Sequence, residues 1–246
     1  MKIIVIIPSR YGSMRFEGKP LAPIAGKPMI QMVYERAKLA ESVTEAVIAT
    51  DDQRIFDAAE GFGARAIMTS PENRTGTDRV AEAAASLGLD FDDIVVNVQG
   101  DQPLLDPRCL DELVKPFFSD PAIGMSTLAF RIVREDEITN PKDVKVTFDD
   151  KGFALYFSRS PIPYGRDSDL SFDTYKHLGI YAYTRGFLEI FKKLPEGKLE
   201  VIEKLEQLRT LEYGYRIKVI VTQYDSPEVD LPEDLPRIEQ ILLQGL

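Results

Sequence analysis

Ile3-Ile4-Val5-Ile6-Ile7-Pro8-Ser9-Arg10-Tyr11-Gly12-Ser13-Met14-Arg15-Phe16-Glu17-Gly18-Lys19-Pro20 begins with five consecutive aliphatic residues, stops at a proline and passes into a loop of cations and glycines. An unbroken β-branched run without polar alternation suits a strand buried on both faces, as at the centre of a parallel sheet. The loop after such a strand lies at the carboxyl edge of the sheet, where open α/β folds bind their ligands. Arg10, Arg15 and Lys19 put three cations within ten residues, beside Gly12 and Gly18. That combination predicts a phosphate cradle rather than a solvated connection.

Outward from this loop, strand-like runs at 3–8, 46–50, 64–68 and 94–98 alternate with helical patterns at 29–40, 52–60, 78–87 and 108–118. The alternation predicts an α/β fold, doubly wound around a mostly parallel sheet. Beyond about residue 120 strand-like segments follow one another at 123–131, 144–148, 154–158 and 177–183. They predict a mixed-sheet extension or lid at about 123–215. Turn residues crowd positions 160–173, where a mobile loop is expected. Helices are expected at 199–211 and 234–243, with a strand at 217–222 between them. The 246 residues read as a single domain.

A formal net charge of -10 argues against nucleic acid or an anionic membrane as partner, so any phosphate site must come from locally gathered cations. The apolar runs are too short to cross a bilayer. One cysteine, Cys109, excludes an internal disulfide and fits a reducing, cytoplasmic setting; within a helical pattern it reads as a packing residue.

Two common phosphate loops do not fit. The glycines lack the G-x-G-x-x-G spacing of a dinucleotide fold, and a Walker loop has four residues between its glycines, whereas Gly12 and Gly18 enclose five and Lys19 is followed by Pro20. The run at 94–98 ends in Gln99-Gly100-Asp101-Gln102-Pro103, on the same expected edge. Gly100 permits a sharp turn, and Asp101 would project where a hard cation such as Mg²⁺ can be held by one or two carboxylates, water and phosphate oxygens. Asp230, in Glu228-Val229-Asp230-Leu231-Pro232-Glu233-Asp234-Leu235, is a candidate second ligand; alone, that stretch also reads as a helix start.

The first loop resembles R-Y-x-S-x-R-x-x-G-K-P-L, and 99–103 resembles Q-G-D-E/Q-P, patterns found together in the 3-deoxy-manno-octulosonate (KDO) cytidylyltransferases. Further matches follow in order: Ala49-Thr50-Asp51, Thr75-Gly76-Thr77-Asp78-Arg79, Ala154-Leu155-Tyr156-Phe157-Ser158-Arg159, His177-Leu178-Gly179-Ile180-Tyr181, Leu205-Glu206-Gln207-Leu208-Arg209 and Val229-Asp230. The resemblance implies a sheet of the nucleotide-diphospho-sugar transferase type and transfer of CMP from CTP to KDO for lipopolysaccharide biosynthesis. It also implies a homodimer with its interface in the strand-rich second half.

On that resemblance Arg10, Ser13, Arg15, Lys19, Thr75, Gly76, Thr77 and Asp101 would serve CTP, with Arg10, Lys19 and Asp101 catalytic. Asp101 and Asp230 would ligate Mg²⁺. Arg79, Gln99, Arg159, His177, Tyr181, Glu206 and Gln207 would line the sugar pocket. Strand alternation puts His177 and Tyr181 on one face, and Phe153, Leu155, Phe157 and Arg159 share one parity in the preceding strand. A helix at 199–211 would carry Val201, Leu205 and Leu208 on its apolar stripe and leave Glu206 and Gln207 off it, facing ligand or water, of which the sequence alone favours water.

Glu17, Asn73 and Leu231 depart from the residues common in the family. Gln102 and the run from Tyr175 to Tyr183 also resemble a branch whose sugar carries an amine at carbon 8. A sialic acid as substrate, or a catalytically silent nucleotide-binding protein, are the rival readings.

Overall fold

The structure, a computed structural model, describes residues 1–12, 15–167 and 170–244. The first half runs β1 (Ile3–Ser9), a two-residue hairpin of β2 (Pro23–Ile24) and β3 (Lys27–Pro28), α1 (Met29–Ala37), β4 (Glu45–Thr50), α2 (Gln53–Gly61), β5 (Arg65–Met68), α3 (Gly76–Ser86), β6 (Ile94–Asn97) and α4 (Pro107–Ser119). The second half runs β7 (Met125–Arg131), α5 (Glu135–Thr139), β8 (Lys145–Phe148), β9 (Ala154–Ser158), β10 (Tyr175–Thr184), α6 (Arg185–Lys193), α7 (Lys198–Glu203), α8 (Leu208–Glu212), β11 (Lys218–Thr222) and α9 (Leu235–Leu243).

The main sheet has the order β11-β7-β10-β6-β1-β4-β5, with β8 and β9 branching from β10. β1 is parallel to β4 and β6, and β11 is parallel to β7; β10 runs antiparallel between β6 and β7. This is the expected mostly parallel, mixed α/β sheet. Val5, Ile6 and Ile7 are wholly buried because successive side chains enter opposite layers. Ile3, Val5 and Ile7 join the layer under α1, α2 and α4, while Ile4 and Ile6 join the one under α3 and α6. Cys109 packs in the first layer, and burial pushes its thiol up to about 12, as suits a packing residue.

Two expectations for the second half are corrected. The single helix at 199–211 is two helices, α7 and α8, divided at Lys204, whose φ of 54° leaves the helical region. Helices α5 and α6 were not anticipated. The second follows β10 directly, with only the Thr184 hydroxyl, accepting from Phe187 N, to mark its start. Residues 160–167 and 170–173 carry no helix or strand. Among the described residues no helix is long and apolar enough to cross a membrane.

Candidate active site

The loop after β1 is braced before it reaches its cations. The Tyr11 carbonyl accepts from Gly18 N at 3.0 Å. The Tyr11 ring stacks under the Arg54 guanidinium, 3.3 Å from the ring centroid, and Arg54 in turn forms a forked pair with Asp52. Gly18 has φ of 70°, and a Cβ there would come within 3.1 Å of the Tyr11 ring. The turn therefore needs glycine on both counts. It delivers Lys19 to the sheet edge; Ser13 lies outside the described residues.

Lys19 Nζ donates to Asp101 Oδ2 at 2.5 Å and to the Val229 carbonyl at 3.0 Å. Val229 N donates to the Asp101 carbonyl at 2.9 Å, so the chain segment before Asp230 is stitched onto the turn after β6. Arg15 faces Asp230 Oδ1 at 3.1 Å. Two carboxylates from distant parts of the sequence thus meet two cations of the first loop. The helix-start reading of 228–235 also holds, but Asp234 does the capping, accepting from Asp230 N and Leu231 N. The Asp230 side chain is left free to face Arg15.

A cavity of about 270 Å³ lies over this edge, lined by Ser9, Arg10, Arg15, Lys19, Thr75, Gly76, Arg79, Gln99, Gly100 and Asp101, with Asn73 and Arg74. Thr75 caps α3 by accepting from Asp78 N, so the helix points the positive end of its dipole into the cavity. Arg79 is fixed by Asp51 at 2.7 Å and Thr69 at 2.6 Å. Of the sugar candidates it shares this cavity only with Gln99, among the nucleotide candidates.

His177, Tyr181 and Gln207 form one network. Tyr181 donates to Gln207 Oε1 at 3.0 Å, and Gln207 Nε2 lies 3.5 Å from His177 Nδ1. Thr127 Oγ1 donates to the Ile180 carbonyl, so at 2.8 Å it accepts from His177 Nε2. That fixes a neutral tautomer protonated on Nε2. Burial pushes His177 down to about 3, in agreement. Gln99 reaches from the first cavity to the Gly179 carbonyl at 3.5 Å, where β10 bulges between His177 and Tyr181.

The expectation that Glu206 and Gln207 face water is corrected. Because the chain turns at Lys204, Gln207 is 3% exposed and Glu206 accepts from Thr75 Oγ1 at 3.0 Å and Thr77 Oγ1 at 2.8 Å. Burial raises the Glu206 pKa, opposed by those two hydroxyls. Arg159 stands apart: its guanidinium donates to the carbonyls of Glu203, Pro141 and Lys204, closing the end of α7.

A model of the cytidylyltransferase family matches residues 4–218. The 3-deoxy-manno-octulosonate cytidylyltransferase of Desulfatibacillum aliphaticivorans is 66% identical over 242 residues, covering 98% of this chain and 99% of that protein. The chain belongs to the 3-deoxy-manno-octulosonate cytidylyltransferase family. The 8-amino-3,8-dideoxy-manno-octulosonate cytidylyltransferase of Shewanella piezotolerans is 57% identical over 236 residues, 96% of each chain. The solved structure of a CMP:2-keto-3-deoxy-manno-octonic acid synthetase complexed with CTP superposes with a TM-score of 0.94 at 42% identity, covering 100% of both chains.

For a cytidylyltransferase, the donor set at Asp101 and Asp230 can be tested against a metal ion. Among the described residues no three or more His, Cys, Asp or Glu side chains gather as a metal cage. Mg²⁺ does not ask for one, since one or two carboxylates with water and phosphate oxygens complete its shell. Both carboxylates already attract a cationic side chain, so hard oxygen donors meet a demand for positive charge there. The residues fit.

Sequence reasoning missed three members of the cytidylyltransferase site. Ser9 lines the cavity and is 4% exposed, and among the described residues its hydroxyl has no partner. Arg74 adds a cation to the same wall. Glu228 is a solvent-exposed carboxylate beside Asp101 and Asp230. Glu228 stands two positions before Asp230, a spacing that in extended chain returns a side chain to the same side.

Proposed function

We propose that the chain catalyses transfer of CMP from CTP to 3-deoxy-D-manno-octulosonate, releasing pyrophosphate. The observation that carries this reading is the pairing of Asp101 with Lys19 and of Asp230 with Arg15, three of which, Arg15, Lys19 and Asp101, line the first cavity. The sugar's anomeric 2-hydroxyl attacks the α-phosphorus in line, and pyrophosphate leaves toward Arg10 and Lys19. Arg15 and Ser13 support the loop. Thr75, Gly76 and Thr77 receive the nucleotide at the N-terminus of α3, which Glu206 holds from behind. Gln99, His177, Tyr181 and Gln207 orient the sugar, and the neutral imidazole serves as a fixed hydrogen-bonding wall. Arg79 and Arg159 remain candidates for the sugar carboxylate, Arg79 from the cavity wall and Arg159 only after releasing its carbonyl partners.

Asp101 and Asp230 would hold Mg²⁺, which when bound supplies positive charge against the α-phosphate. A cytoplasmic, magnesium-dependent homodimer serving lipopolysaccharide biosynthesis is part of the same reading. Solvent-exposed Leu155 on β9 and Val201 and Ile202 on α7 support a self-association face. A second reading, the same transfer to 8-amino-3,8-dideoxy-manno-octulosonate, is favoured by the likeness to the Shewanella proteins.

The test is pyrophosphate release on mixing the protein with CTP, Mg²⁺ and each sugar in turn. Release that requires protein, CTP and an octulosonate together is expected. No release with either octulosonate, or equal release with a sialic acid, contradicts the proposal.

A further inference from the structure

Glu228 belongs to a second cavity of about 570 Å³, which it lines with His177, Leu178, Ser226 and Asp230. It is therefore within reach of both the metal carboxylates and the sugar network. Its Oε1 accepts from Gln102 Nε2 at 3.2 Å, and the same amide nitrogen donates to the Leu178 carbonyl at 2.6 Å. Since both neighbours are acceptors, the amide can be oriented only with its nitrogen toward them. That leaves Gln102 Oε1, in a side chain with no exposed surface, without a donor among the described residues. A Cβ placed on Gly179 would stand 3.6 Å from Glu228 Oε1, so the carboxylate hangs over the bulge that Gln99 also touches.

Among the described residues Gln102 Nε2 is the one side-chain donor bonded to the Glu228 carboxylate, which forms no ion pair; Arg237 reaches only the Glu228 carbonyl, at 3.4 Å, and Lys19 is engaged by Asp101 and Val229. A sugar hydroxyl brings one donor and no charge. A primary ammonium brings three donors and the charge the carboxylate lacks.

Resting on the cytidylyl transfer proposed above, we infer that Glu228, oriented by Gln102, recognises a protonated amine on the tail of the sugar. It thereby makes the site select an ammonium-bearing octulosonate over KDO.

The experiment compares kcat/KM for 8-amino-3,8-dideoxy-manno-octulosonate and for KDO, at saturating CTP and Mg²⁺, in the wild type and Glu228→Gln. Mn²⁺ binding to both proteins is followed by electron paramagnetic resonance. A wild type that prefers the amino sugar is expected, with that preference falling about 10- to 100-fold in the variant, the worth of one charged hydrogen bond. Mn²⁺ affinity should not follow the change. A wild type that prefers KDO, or a preference unmoved by the substitution, overturns the assignment alone. A variant that loses Mn²⁺ affinity with its preference intact makes Glu228 a metal ligand instead. A wild type inactive on both sugars overturns the underlying reaction as well.

Discussion

Glu206 accepts a hydrogen bond from Thr77 Oγ1 at 2.8 Å, joining the N-terminus of α3 to the turn that carries Gln207. The wall proposed to take the nucleotide and the wall proposed to take the sugar are thus fastened to each other through one carboxylate, with Thr75 as its second donor. Glu206→Ala leaves the buried Thr77 hydroxyl and the half-buried Thr75 hydroxyl without their acceptor, at a cost of about 1–3 kcal/mol for Thr77 and less for Thr75. We expect KM for CTP to rise and kcat to fall together, with Glu206→Gln restoring part of both. Steady-state kinetics varying CTP at fixed sugar checks this; an unchanged KM for CTP would separate the two walls.

His177 carries a pH prediction. Its folded pKa of about 3 lies below the ordinary value of 6.5, so the unfolded chain binds a proton that the folded chain refuses. The stability this group contributes is present above about pH 6.5 and is lost as pH falls toward 3. Each pH unit in that window costs up to about 1.4 kcal/mol from this one site. Urea denaturation of the wild type and His177→Gln across the window should show a shallower acid decline in the variant.

Gly18→Ala should damage the phosphate loop without touching a charged group. The left-handed backbone costs an alanine about 1–2 kcal/mol, and the new methyl presses on the Tyr11 ring. A lower melting temperature and weaker CTP binding by calorimetry are expected together. Gly12→Ala, where no atom lies within 4 Å of an added Cβ, is the control.

The parts of this molecule that were legible in the sequence are those where one local pattern has one physical meaning. The aliphatic run of β1 can be satisfied only by burial on both faces, and a cationic glycine loop after it can lie only at the sheet edge. Asp101 and Asp230 were legible as acids, but the backbone bond from Val229 N to the Asp101 carbonyl that brings their segments together is displayed by no sequence pattern. The break at Lys204 was not legible because a lysine at φ 54° carries no mark of its conformation. Glu206 and Gln207 were turned outward on paper for that reason alone. Glu228 was hidden by its neighbours, since Val-Asp-Leu-Pro-Glu-Asp already made sense as a helix start. Arg159 followed the motif, yet carbonyls at the end of α7 hold its guanidinium in this structure.

The convergence of Asp101 and Asp230 is tested most directly by Mn²⁺ titration in the presence of CTP, comparing the wild type with Asp101→Asn and Asp230→Asn. If both acids face one cation, each substitution weakens Mn²⁺ binding by an order of magnitude or more. Wild-type Mn²⁺ affinity in both variants would contradict it.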